Sequence, residues 1–364
     1  MGLRLLGLLG LVALVVCGPE LASSDTSKQA GSDHPLWQKF DDGGRPGVDS
    51  PHAGEDGELV YDRARHRVLV VGGKDDSEHT TNEVWALDLE TRKWSQVATK
   101  GPQPQPREDH SVILDPVNDQ LILFGGDNGP TIRDAWALSL SDNRWTEITR
   151  DSTPARQDHT ATYDPVRQRM IVIGGDEEST DVWALDLNRD SNGHGDWTRL
   201  ATGEPNPGTR NLHAAAYDSR RDRIYVYAGR VRLGRRHRYL GDLWALDLKS
   251  ERWTELDTKG SSPTAIVQTV LSYDPEADEL IAFGGEVVVP RDGDISEYLT
   301  NSVWVLDLQR MTWKARSPYP QPVYDHAGVF APEYGGIILY GGQSHNPGKE
   351  HSTWLLRNPK EPSD

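Results

Sequence analysis

The strongest constraint in this 364-residue chain is a pattern that returns six times. Glycine pairs close short apolar runs: VLVVGG ending at Gly73, LILFGG at Gly126, IVIGG at Gly175, LIAFGG at Gly285 and IILYGG at Gly342. A sixth run, YVYAG ending at Gly229, carries Ala228 where the first glycine stands elsewhere. Neighbouring copies lie 49 to 57 residues apart. After each comes a variable loop and then a strand with a mid-strand tryptophan: Trp85, Trp136, Trp183, Trp244, Trp304 and Trp354. A second tryptophan opens the strand after that, at Trp94, Trp145, Trp197, Trp253 and Trp313. Eleven of the 12 tryptophans are thereby placed. The last repeat ends without its final strand, and the twelfth, Trp37, stands near the start of the repeats.

Each repeat holds four short strands. A four-stranded sheet leaves two edges and an apolar face exposed, and radial stacking of six such sheets buries the faces. Pairing the Trp37 strand with the last repeat closes the ring and removes the open end. The expected fold is therefore all-β: a six-bladed propeller over 35–357, closed by an N-terminal strand around Trp37. A linear solenoid would leave the displaced tryptophan unexplained. The Gly pairs, the Asn/Asp-x-Trp strands (Asn82–Trp85, Asp134–Trp136, Asp181–Trp183, Asp242–Trp244) and the second tryptophan resemble the kelch family. That resemblance implies a propeller whose glycines and tryptophans are structural, leaving function to its loops.

Charge and cysteine content narrow the chemistry. With 39 basic and 56 acidic residues the net charge is −17, which excludes a general nucleic-acid binder. The one cysteine, Cys17, leaves nothing later in the chain for a disulfide, a thiolate metal site or a cysteine–tyrosine copper centre of the galactose-oxidase kind. Cys17 ends an apolar run, Leu5 to Val16, whose helix would span only ~18 Å. Residues 1–17 are thus expected to be an export signal, not a membrane span. Cleavage near Ala22 or Ser23 would release a secreted protein; a lipoprotein signal would instead place a lipid anchor on Cys17 of an envelope or periplasmic protein. Residues 18–34 form a flexible tether and 358–364 a polar tail.

Four groups of residues are candidates for function. The segments entering four innermost strands read Arg107-Glu108-Asp109-His110, Arg156-Gln157-Asp158-His159, Arg210-Asn211-Leu212-His213 and Val323-Tyr324-Asp325-His326; repeats one and five depart, with Asp56-Gly57 and Gln268-Thr269. The histidines suit polar slots between blades. In kelch adaptors that recruit acidic peptides, arginines at the position of Arg107, Arg156 and Arg210 face the ligand, so the resemblance makes these and Asp109, Asp158 and Asp325 candidate ligand-binding residues. A basic loop, Arg230 to Tyr239, adds Arg230, Arg235 and Arg236 on the same face. A blade-three insertion offers Asn188, Asp190, Asn192 and Asp196 at the spacing of a weak structural calcium loop. Glu58-x3-Asp62-x3-His66 matches an iron spacing of kelch-type specifier proteins, but Asp62 is equally the turn residue of a repeat hairpin.

No serine-hydrolase elbow, phosphate loop or zinc helix motif occurs. The expected function is an exported or envelope-anchored binding module, with no required cofactor. Its arginine-bearing face would meet a protein, acidic peptide or glycan. The alternative is a carbohydrate-active enzyme of the sialate-mutarotase type at the channel mouth. A deep pocket with a convergent acid–base pair would favour the enzyme, and a flat rim the binder.

Overall fold

A computed structural model describes residues 37–357 apart from 42, 151, 176–179, 189–194, 262–264, 292–293, 317, 319–322 and 344–350. The leader, the tether and the polar tail lie outside the described residues. The described residues form six four-stranded antiparallel sheets, with two three-residue 3-10 turns at hairpin ends. Five sheets use consecutive blade strands; blade one runs Glu58–Asp62, Arg67–Val71, Val84–Asp88, Lys93–Gln96. The sixth is composite: Ala327–Ala331, Gly336–Tyr340 and Thr353–Arg357 are completed by Trp37–Asp41, with Trp37 opposite Leu356.

The core is split into six apolar clusters, one between each pair of neighbouring blades. The second tryptophan of each complete blade packs into the cluster shared with the preceding blade: Trp94, Trp145, Trp197, Trp253 and Trp313. Trp37 plays this part for blade six, against the blade-five ring of Phe283 at 5.3 Å. The array is therefore a closed propeller with the displaced twelfth tryptophan as its last wedge. Blade six also meets blade one directly, through Leu59 and Tyr61 against Ala331, Ile338 and Tyr340. Burying an aromatic side chain of 150–250 Å² at about 25 cal/mol per Å² is worth about 4–6 kcal/mol as an upper estimate.

The glycine pairs make room for histidines. At Gly174 (φ +66) an added Cβ would lie 2.6 Å from Cε1 of His213 in the next blade; at Gly175 it would lie 2.6 Å from Cβ of His159 in the same blade. The Ala228 exception follows from this packing. Gly229 N–H bonds to Ile266 O in the register that joins Gly175 to Arg210 O, so blade five's counterpart of His213 is Thr269. A shorter neighbour tolerates the methyl.

The variable loops of blades four and five are not irregular. Arg230–Leu233 and Arg236–Tyr239 form a two-stranded ribbon, and Glu286–Arg291 with Asp294–Leu299 adds to Ile266–Val267 in a three-stranded sheet. The basic loop expected from sequence is thus a β-hairpin turned at Gly234-Arg235.

Candidate functional site: the channel mouth

Two residues before each innermost strand, the chain enters the left-handed region at Asp56, Asp109, Asp158, Leu212, Gln268 and Asp325, with φ between 51° and 54°. Aspartate tolerates this conformation better than most residues with a Cβ. The six positions form a collar around the channel. Main-chain N–H groups donate to the preceding blade's carbonyl: Asp56 to Asp325 (3.2 Å), Asp158 to Asp109 (3.2 Å), Leu212 to Asp158 (3.2 Å) and Gln268 to Leu212 (3.0 Å). This backbone collar sets four aspartates around a cavity of about 320 Å³, with Glu58 one step inside.

These carboxyls crowd one another. Burial first, then repulsion from Glu55, Glu108 and Asp158, raises Asp56 to about 7 against the pull of Lys74. Burial and the charges of Asp158, Asp56 and Glu108 raise Asp109 to about 8. Asp325 is pushed well above the usual carboxylate range by burial and Asp56, and Glu58 to about 7 by the same two causes. The charge of Lys74 opposes this rise at Asp56, Asp109 and Asp325. Its ammonium pairs with Glu108 and lies 3.6 Å from Asp56. Carboxylate oxygens of Asp56, Glu108 and Asp109 come within 4.8 Å of one another, a grouping that suits a cationic guest. Gln268 donates its side-chain amide to Asp325.

The histidines behind the collar are wall material. His110 donates from Nε2 to Val71 O (3.1 Å), while His159 meets Ser111 Oγ and His213 meets Thr160 Oγ1, each at 2.8 Å. Burial lowers these three to about 3 and His326 to about 4, so all are neutral at pH 7.

The arginines expected to face a ligand are turned inward. Arg107 and Arg210 keep 1% side-chain exposure and fork onto Asp134 and Asp242 of their own blades. The same aspartates accept the indole N–H of Trp136 and Trp244 (2.8 and 2.7 Å). The Asp-x-Trp motif and the entry arginine are therefore one bracing unit. Arg156 is also buried, with Nη1 on Ala155 O at 2.7 Å. This corrects the assignment of Arg107, Arg156 and Arg210 to a ligand-facing rim: buried guanidinium groups cannot supply surface charge. Arg230 is half-buried and donates to Asn211 Oδ1, whereas Arg235 and Arg236 are exposed on the ribbon. Asp109, Asp158 and Asp325 do meet at the mouth, joined by Asp56, Glu58 and Lys74. These three were overlooked because blade one's entry segment departs from the others in sequence, although Asp56 holds the same register two residues before its strand.

On the opposite face, Asn188 turns its amide to Asp186 Oδ1 (3.2 Å), and the Asp196 side chain is 88% exposed, 3.9 Å from Arg150. Asp190 and Asn192 lie outside the described residues. Asp62 is buried at the hairpin turn, taking Arg67 Nε at 2.9 Å and Arg65. That separates it in role from Glu58, which lines the mouth.

Radial sheets, glycine pairs and Asp-x-Trp braces define a kelch-type propeller. A family model described as "KLHDC2/KLHL20/DRC7 Kelch-repeats domain" matches residues 58–285, and the chain belongs to the kelch-repeat family. Kelch domain-containing protein 10 of Homo sapiens is 26% identical over 310 residues, covering 78% of this chain and 64% of that protein. The chain thus spans just under two thirds of that relative's length. Acyl-CoA-binding domain-containing protein 4 of Arabidopsis thaliana is 29% identical over 159 residues, 40% of this chain and 21% of that protein. Among solved structures, that of YjhT superposes with a TM-score of 0.66 at 14% identity, covering 86% of this chain and 97% of that one. That likeness concerns the fold. No helix among the described residues is long and apolar enough to cross a membrane.

Proposed function

We propose that this kelch propeller is a binding module, exported or held at the cell envelope, that meets a protein, peptide or glycan partner with its entry-loop face. The observation that carries the reading is the mouth: four collar aspartates around a cavity, three of them under the influence of Lys74. Such a site favours a cationic group of the ligand, a lysine or arginine side chain or an amino sugar. The acidic-ligand expectation therefore leaves the mouth and passes to the ribbon. The test is a peptide and glycan array probed with the parent and with Asp109→Asn/Asp158→Asn. Cationic members should dominate, and the variant should bind them about tenfold more weakly. Preference for anionic members, unaffected by the variant, would sink the assignment.

The second reading is the carbohydrate-active enzyme of sialate-mutarotase type, supported by Asp56 and Glu58 poised near neutral pH in one cavity. Anomer exchange of sialic acid followed by NMR decides it: a rate equal to buffer alone removes the enzyme. A weak structural calcium at Asn188, Asp190, Asn192 and Asp196 remains part of the proposal. Binding to the native state alone would raise the melting temperature with calcium over chelator, and Asp190→Ala would abolish that rise.

A further inference from the structure

The ribbon on blade four has two unlike faces. Its register sets Leu233 opposite Arg236, Val231 opposite Arg238, Arg232 opposite His237 and Arg230 opposite Tyr239. Directly opposed residues share a face, as do residues two apart on one strand. One face therefore carries Arg230, Arg232, His237 and Tyr239. It is engaged: Arg230 bonds Asn211, Arg232 bonds Gly234 O at 3.1 Å, and the rings of His237 and Tyr239 meet edge to face at 6.5 Å. The other face carries Val231, Leu233, Arg236 and Arg238, with Arg235 at the turn. Leu233 is 57% exposed, and Arg235, Arg236 and Arg238 are exposed. Among the described residues the side chains of these three arginines make no hydrogen bond or ion pair.

We propose that this outer face docks an extended acidic segment of a partner protein, with carboxylates two residues apart lying over Arg236 and Arg238 and an aliphatic side chain against Leu233. The spacing carries the match. Residues two apart on a strand lie about 6.6 Å apart on one face, and an extended partner repeats that interval. Each guanidinium offers a planar fork to a carboxylate. A broad anionic surface fits poorly. The ribbon is rooted at Asn211, next to the collar, so a membrane or a nucleic acid pressed onto it would also approach the mouth carboxylates in a chain of net charge −17. A narrow segment can follow the ribbon and avoid them.

The experiment uses the full chain and a fluorescein-labelled peptide of alternating glutamate and leucine, read by anisotropy. The parent should bind it and lose affinity as salt rises. Arg236→Glu/Arg238→Glu should weaken binding at least about tenfold. Lys93→Glu/Lys249→Glu, on the opposite face, should leave it unchanged, and the glutamine version of the peptide should bind at least about tenfold more weakly. Equal melting temperatures establish that the reversal variant is folded; should it not fold, Arg236→Gln/Arg238→Gln replaces it. Asp109→Asn/Asp158→Asn separates this site from the mouth, because it should leave the acidic peptide bound. Absence of binding by the parent, or equal affinity in the ribbon variant, overturns the proposal. So does sedimentation with phosphatidylserine vesicles that the ribbon variant loses while the peptide remains unbound.

Discussion

Aspartates ring both faces of the propeller, and the two rings are handled in opposite ways. On the hairpin-turn face Asp62, Asp164 and Asp218 are buried, yet each takes arginine hydrogen bonds. Arginines there also reach across to the next blade: Arg65 to Asp119 (2.6 Å), Arg167 to Asp222 (2.8 Å) and Arg221 to Asp278 (2.7 Å). Arg65 and Arg221 hold Asp119 and Asp278 below the ordinary carboxylate range. At the mouth, four aspartates and Glu58 crowd one cavity, and Asp56, Asp109 and Asp325 are pushed up despite Lys74. One ring ties blades together; the other holds a charge conflict that packing alone does not require. A conflict of that kind, set around a cavity, marks where a ligand would relieve it.

The largest effect should come from breaking a turn-face clamp. Arg221 bonds Asp218 and Asp278, which are 0% and 4% exposed. Arg221→Ala should cost about 3 kcal/mol in urea denaturation, the low end for a broken buried pair because the guanidinium is partly exposed. A loss below about 0.5 kcal/mol would place this ring among ordinary surface pairs and erase the contrast.

Removing the mouth's cation should come next. Lys74→Gln leaves Asp56, Asp109 and Asp325 without the charge that opposes their repulsion. Stability should fall by about 2 kcal/mol at pH 8, where Asp56 and Asp109 carry charge, and change little at pH 5, where these two are protonated. An equal loss at both values would mean that Lys74 acts by packing alone.

These contrasts show what was legible in the chain. The glycine spacing and the tryptophan positions revealed the blades and the closing strand, because both residue types serve backbone and inter-blade packing that recurs identically. The entry arginines misled for a related reason. Arg107 and Arg210 recur because they brace Asp134 and Asp242, and recurrence in a repeat protein signals packing before it signals function. Asp56 and Lys74 were harder to see: they lie in blade one, whose entry segment lacks both the arginine and the histidine. Their meeting with Asp325 depends on closure of the ring across more than 200 residues of chain, which no local pattern encodes. The two faces of the ribbon were hidden until its register was fixed, since shifting it by one residue exchanges them.

The smallest and most diagnostic effect concerns a single collar carboxylate. For a carboxyl raised in the folded state, the native chain binds more protons than the unfolded one between the two pKa values, so its stabilising contribution is present at low pH and lost as pH rises. Asp109 therefore costs stability from about pH 4 to about pH 8. The buried histidines act in the other direction. His110, His159 and His213, lowered to about 3, bind fewer protons when folded and lose stability as pH falls below about 6.5. The two sets oppose each other in mildly acidic solution, and only the carboxyls remain between about pH 6.5 and 8. Stability of the parent should therefore fall across that window. Asp109→Asn keeps a residue that tolerates φ 51° and removes one charge from the collar. It should raise stability by about 1 kcal/mol at pH 8, with no gain at pH 5, and flatten the decline. A variant less stable than the parent at pH 8 would show that Asp109 is held by favourable contacts, as the turn-face aspartates are, and the mouth would no longer stand apart from the opposite ring.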